Sequence, residues 1–179
     1  QYSNENVQVR LHTAQMDVNF EQNDVDMAIM IGHATSSSLH HDYLFDCELS
    51  PVCSPDYLER KGPINSPSDL AKHSILQVYP SSQDWHIWQE ANNAGSIKPD
   101  TGQQLESYAS ALTSAAQGMG IALGQQPYIA RDLQSGSLIE LFPDRRIHNP
   151  KRWHLVYRTE KRDQPKAARF RDWLLAEIK

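Results

Sequence analysis

The sequence contains only two cysteines in 179 residues, Cys47 and Cys53. A disulfide-stapled scaffold is thereby excluded, since such domains draw on several bridges. Six positions apart in an extended stretch, the two thiols would share one strand face roughly 20 Å apart, too far for a bond without a sharp bend. They are expected to be small buried hydrophobes in a reducing compartment, and the cytoplasm is the expected location. No apolar run approaches the roughly 18 residues a membrane span requires, so no membrane partner is expected. Positive charge is also short: 17 Lys and Arg stand against 22 Asp and Glu, a formal net charge of -5. A field that draws nucleic acid to the surface is missing. The one basic cluster, Asp144 to Lys151 with Arg152, is expected to be a solvated turn between strands. Repeats and low-complexity tracts are lacking, as are a glycine-rich phosphate loop, a paired-cysteine zinc site and a Gly-x-Ser-x-Gly elbow. No catalytic residue, metal ligand set or cofactor is indicated. His40-His41-Asp42 is adjacent in an extended loop, where neighbouring side chains point apart and no second cluster closes a shell. Asp24 and Asp26 flank a strand start without a partner acid for acid/base work.

What is present is a globular composition, with 39% hydrophobic residues and enough length for a core of one domain or two small lobes. Apolar spacing switches repeatedly between two and about 3.6, which predicts alternating strands and helices and an α/β fold. Gln1–Val7 reads as a helix tail, so the chain is expected to be a piece of something longer. Val7–Leu11 alternates as a strand, and a short helical stretch follows Thr13 to about Gln22. Asp26–Ile31 is a continuous apolar run, expected as a buried parallel strand ended by Gly32. A polar loop from His33 to Asp42 precedes one long extended run, Tyr43–Cys53.

Caps spell out the next helices. Ser54-Pro55-Asp56 and Ser66-Pro67-Ser68-Asp69 each place a hydroxyl before a first-turn proline, and Ser82 opens a further helix. That helix carries Trp85 and Trp88, expected as packing residues, and ends at Asn92–Gly95. His73–Tyr79 and Gln103–Leu105 read as strands. After the helix 127–133, closed by Gly136, come the strands Leu138–Phe142 and Trp153–Tyr157. The last helix runs Pro165–Ile178, with Ala168, Trp173, Leu174 and Ile178 as its docking stripe.

The most informative stretch is Ser107–Gly124. Hydroxyls at Ser107 and Ser110 open an alanine-dense helix that leaves through Gly118-x-Gly120 into an apolar strand. A helix start of this kind offers unpaired backbone N–H groups to a small polar or anionic molecule. The same residues serve equally as the cap of an ordinary helix packed on a sheet.

Several segments, in order, resemble the regulatory domain of LysR-type transcriptional regulators. They are Asp24-Val-Asp-Met-Ala-Ile-Met-Ile-Gly32, Leu44-Phe45, Leu49-Ser-Pro-Val-Cys-Ser-Pro55, Asp69-Leu-Ala71, Trp85, Ala115-Ala-Gln-Gly-Met-Gly-Ile-Ala122 and Phe170-Arg-Asp-Trp-Leu174. The likeness covers almost the whole chain, and the Ser-Pro-Val-Cys-Ser-Pro run is similar to the branch containing the glycine-cleavage activator and the β-lactamase regulator. It implies a periplasmic-binding-protein-like (type 2) α/β fold, two lobes joined by two crossing strands, with a small-molecule effector between them. Lobe one would be 1–46 with 152–179, lobe two 47–151, and the runs 43–53 and 148–157 the hinges. It also implies homodimers or homotetramers, and DNA contact only through a helix-turn-helix domain upstream. Carried over position by position, the effector-facing residues would be Thr13, Gly32, His33, Ala34, Ser107, Tyr108, Ser110 and Trp153. Each has a plainer role: Thr13 and Ser107 as caps, Gly32 as a turn, Trp153 as core. Where family members in this branch often carry arginine, this chain has Met30, and most of the family's first strand and helix has no counterpart here. Both departures count against a carboxylate effector. A transport-linked solute-binding protein of the same fold and a small enzyme using Ser107 or Ser110 with a histidine are the rival readings.

Overall fold

The computed structural model describes all residues except 1–8, 13–17, 22–23, 33–36, 96 and 179. Among the described residues the strands are β1 (Ala28–Ile31), β2 (Leu39–Phe45), β3 (Glu48–Cys53), β4 (Ile75–Val78), β5 (Gln103–Leu105), β6 (Ile121–Gln126), β7 (Ile139–Glu140), β8 (Ile147–His148) and β9 (Trp153–Arg158). The helices are α1 (Pro55–Lys61), α2 (Gln83–Ala91), α3 (Tyr108–Ala116), α4 (Ala130–Ser135) and α5 (Pro165–Glu177), with short 3-10 turns between them. None of the described helices is long and apolar enough to cross a membrane. The chain divides into two compact units, residues 1–46 with 150–179, and residues 47–149.

In the first unit β9 lies between β1 and β2 and is antiparallel to both. The expectation of a buried parallel strand at Asp26–Ile31 is therefore corrected: β1 starts at Ala28, runs antiparallel to β9, and leaves Ile29 half exposed. An apolar run fixes neither the direction of pairing nor burial on both faces. Leu44, Leu155 and Tyr157 form the core, against which Phe170, Leu174, Leu175 and Ile178 pack. The buried side of α5 is thus Ala167, Phe170, Leu174 and Ile178, at spacings of three and four. Trp173, expected on that stripe, sits at its border, 38% exposed and 5.6 Å from the Phe170 ring. Part of the expected strand 7–11 lies outside the described residues; Val9, Arg10 and Leu11 belong to no strand and are exposed. The expected helix after Thr13 falls mostly outside them too, and residues 18–21 hold a turn and no helix.

The second unit is built on the sheet order β5-β4-β6-β3-β7, with β8 also pairing β3. β4 is parallel to β5 and β6, whereas β3 is antiparallel to β6, β7 and β8. The expected single run Tyr43–Cys53 is two strands in two sheets, with a register shift between Tyr43 and Phe45 and a break at Asp46–Cys47. Alternating apolar residues look the same on either sheet, so their pattern hides the break. Likewise the loop expected at His33–Asp42 gives way to strand at Leu39.

Helix α3 covers this sheet with Ala111, Leu112 and Ala115, packed on Val52, Leu76, Val78, Ala122 and Ile129. Alanines one turn apart present almost no side chain, so the helix axis can approach the strands closely. It stops at Gln117 because Gly118 takes φ +73°, with Gly118 N–H donating to Ala115 O (3.0 Å) and Met119 N–H to Ser114 O (3.1 Å). Those two bonds satisfy terminal carbonyls in a Schellman motif. Gly120 has a different reason to lack a side chain: a Cβ there would stand 2.6 Å from Ser74 O, the acceptor of the Ile121 N–H at 2.8 Å. Gly120→Ala should therefore lower the unfolding free energy by about 1–3 kcal/mol, the usual cost of overpacking. Urea titration checks it as a fall in midpoint at constant slope.

Ser54 caps α1 as expected, accepting from Tyr57 N–H at 3.2 Å. Ser66 and Asp69 form a capping box, but the helix they open is a 3-10 turn of six residues, since the chain enters β4 at Ile75. Ser82 does not cap α2 by its side chain: it is itself helical, at φ -57° and ψ -26°, following a 3-10 turn at Tyr79–Ser81. α4 begins at Ala130, three residues later than expected, and ends at Gly136 with φ +75°.

Both cysteines are buried and neither is in a disulfide, Cys47 before β3 and Cys53 at its end. Burial pushes the Cys53 thiol up to about 11. The basic cluster 144–152 folds as a 3-10 turn and β8, where Arg146 makes a two-pronged bond to Glu140 at 2.7 Å and 2.7 Å.

Candidate functional site

The start of α3 brings Ser107 and Ser110 together. Ser107 is extended, φ -151°, as an N-cap residue should be. Its Oγ accepts from Ser110 N–H (3.2 Å), the Ser110 Oγ accepts from Ser107 N–H (3.2 Å), and the two oxygens lie 2.9 Å apart. The pair is a capping box in which serine replaces the usual acid at the third position. The first turn of α3 therefore carries no acid of its own at this helix start, where the dipole favours an anion or a polar acceptor.

Tyr108, the first residue of α3, turns inward. Its hydroxyl donates a short hydrogen bond to Asp84 Oδ2, and Asn149 Nδ2 donates to the same oxygen at 3.2 Å. Asp84 and Asn149 are each 4% exposed, and Gln125 is buried beside the phenol. Burial, then the Asp84 charge and its hydrogen bond, hold the Tyr108 hydroxyl well above its usual range, so it stays a proton donor. Asn149 also donates its backbone N–H to Cys47 O at 2.7 Å. Sequence reasoning missed this polar group. Asp84 sits where a first-turn acid is ordinary, and neither Asn149 nor Gln125 belongs to a motif.

In the first unit, Gly32 and Trp153 come together at one end of the sheet. Ile31 faces Trp153 in the ladder, and Gly32, at φ +129°, donates its N–H to Arg152 O at 3.0 Å. The Trp153 ring is half-buried, 6.2 Å from that of Phe45. Met30 faces His154. Arg152 pairs with Asp46 at 3.2 Å and lies 6.0 Å over the Tyr43 ring. Thr13, His33 and Ala34 lie outside the described residues.

The His40-His41-Asp42 stretch is strand, and its side chains alternate. Tyr157 donates to Asp42 Oδ2 at 2.7 Å and His40 Nε2 stands 3.3 Å from Oδ1, while His41 faces His154 at 6.0 Å. Asp26, at the other flagged acidic position, accepts from Lys161 and Lys166 at 2.7 Å and 2.8 Å, which hold its carboxyl below the usual range. Two open depressions lie in the second unit. One, of about 570 Å³, is lined by His73, Ser74, Lys98, Thr101 and Gln103; the other, of about 420 Å³, runs between α3 and Tyr128. Neither includes Ser107, Tyr108 or Ser110.

A family model described as the LysR substrate binding domain matches residues 1–179. The chain belongs to this family. It is 29% identical over 171 residues to the glycine cleavage system transcriptional activator of Escherichia coli K12, covering 96% of this chain and 55% of that protein. It is 28% identical over 171 residues to the HTH-type transcriptional activator AmpR of Pseudomonas aeruginosa, covering 94% and 55%. This LysR substrate binding domain thus spans about half the length of the curated relatives it matches. Among solved structures, the effector domain of AmpR from Pseudomonas aeruginosa superposes with a TM-score of 0.84 at 24% identity, covering 98% of this chain and 82% of that one. Full-length AphB of Vibrio cholerae gives 0.75 at 20% identity, covering 98% and 60%. The fold is the periplasmic-binding-protein-like (type 2) α/β fold of these effector-binding domains. Each relative named is a regulator of transcription, which favours a regulatory domain over a transport-linked solute-binding protein or a small enzyme.

Proposed function

We propose that this chain is the effector-sensing regulatory domain of a LysR-type DNA-binding transcriptional regulator, acting in the cytoplasm and catalysing no reaction. The family match over its whole length carries the reading. The effector is a small molecule contacted by Thr13, Gly32, His33, Ala34, Ser107, Tyr108, Ser110 and Trp153, with lobes of 1–46 plus 152–179 and of 47–151. The cap at α3 supports it: Ser107 and Ser110 bond each other, and while the oxygen that accepts that bond is filled, the other keeps one lone pair for a ligand donor. An effector that binds one conformation better shifts the population toward it. In a homodimer or homotetramer, that shift changes how the attached DNA-binding domains are spaced on an operator. DNA is touched only by the helix-turn-helix domain upstream; no cofactor, metal or membrane takes part.

Sequencing the gene upstream of this segment tests the class directly. A helix-turn-helix pattern is expected; a secretion signal or lipid-attachment cysteine in its place would overturn the proposal. A thermal-shift screen of amino acids, aromatic acids and cell-wall fragments then reads the ligand class, because a molecule bound only by the folded state raises Tm.

A further inference from the structure

The second unit is entered at Cys47 and left at Asn149. These two points are tied by the Asn149 N–H bond to Cys47 O at 2.7 Å, and the Asn149 side chain reaches Asp84 Oδ2, which also accepts from Tyr108. Tyr108 follows Ser107 directly at the start of α3. One buried carboxylate on α2 therefore joins the start of α3 to both places where the chain passes between units.

We propose that Asp84 is a positioning residue, and that Tyr108, Asp84 and Asn149 form a relay by which a displacement at the start of α3 reaches both chain crossings. Its use in sensing rests on the proposed effector contact at Ser107 and Ser110; its existence as a mechanical link does not. Two features make it a link and not a mere buried cluster. All three groups are held in the interior, where a hydrogen bond to a charge is strong and directional. Asn149 also bonds through both backbone and side chain, its N–H to Cys47 O and its carboxamide to Asp84 Oδ2, so one residue carries the contact from α2 to the other crossing. Physical coupling of this kind needs contiguous contacts with a readable response at the far end.

The response is amide exchange at Asn149. Hydrogen exchange is followed residue by residue in the 179-residue chain and in two variants, Tyr108→Phe and Asp84→Asn, with the Ile121 amide, bonded to Ser74 O in the same unit, as internal reference. Tyr108→Phe keeps the ring and removes only the hydroxyl, so it remains informative even where Asp84→Asn folds poorly. The relay predicts that in Tyr108→Phe the Asn149 amide speeds up about ten-fold more than Ile121, whose own change reads the common factor set by the loss of unfolding free energy. A purely structural role would instead lower all protected amides of the unit by one common factor. That pattern, or an unchanged Asn149 rate in Tyr108→Phe, overturns the relay. An upstream sequence without a helix-turn-helix would overturn the proposed function and leave this measurement standing.

Discussion

Trp88→Ala is expected to lower the unfolding free energy by about 3–5 kcal/mol, the range for truncating a large buried aromatic. Trp88 has no exposed surface. Its ring stacks on Phe142 at 5.9 Å and meets Trp85 edge-on at 6.2 Å. Its indole N–H donates to Arg145 O at 3.1 Å. Truncation removes all of these and opens a cavity beneath α2. A typical domain has only about 5–15 kcal/mol in hand, so this variant should sit near the threshold of folding. Trp88→Phe separates packing from hydrogen bonding. Arg145 O is also an acceptor for Asn92 Nδ2 at 3.2 Å, so loss of the indole donor does not orphan the carbonyl. Its cost should fall well below that of Trp88→Ala. Circular dichroism in urea reads both; a loss under about 1 kcal/mol in Trp88→Ala would refute the packing role.

That packing role was legible in the sequence, because two large apolar rings three apart on a helix lie on neighbouring faces and bury together. Other elements were legible for equally local reasons. β5 occupies the expected Gln103–Leu105, and Ser54 and Ser107 cap the helices they precede. What failed was whatever depends on distant partners. The run Tyr43–Cys53 has one pattern but two sheets, and the continuous apolar run at β1 gave no sign that its partner β9 lies some 120 residues away and runs antiparallel. Trp173 looked like core because it is large, yet its place one step off the Phe170–Leu174–Ile178 line leaves it at the border.

The candidate site divides the same way. Ser107 with Ser110 could be read as a pair because capping spacing is local. Gly32 and Trp153, 121 positions apart, were carried by resemblance alone, and the ladder between β1 and β9 is what sets them side by side. Asp84 could not be read at all. An acid in the first turn of a helix is favourable on any exposed surface, and only the fold shows that this one is buried under the first turn of another helix.

Burial makes Asp84 the position with the second largest expected effect. Asp84→Ala removes the acceptor shared by the Tyr108 hydroxyl and Asn149 Nδ2, and each hydrogen bond to a charged group is worth about 1.5–3 kcal/mol. The expected loss is about 2–5 kcal/mol in urea unfolding. The variant series tests whether that loss comes from the lost hydrogen bonds or from the missing side-chain volume. Tyr108→Phe in the native background should cost about 1–2 kcal/mol, since it deletes one bond to a charged acceptor. In the Asp84→Ala background the same change removes a hydroxyl whose carboxylate partner is already gone, so it should cost close to nothing or even restore stability. The double mutant should then be more stable than the sum of the two single losses predicts, by about 1–2 kcal/mol. Strict additivity would mean that the two residues contribute separately. The buried carboxylate would then be a packing element of α2, with no hold on the start of α3.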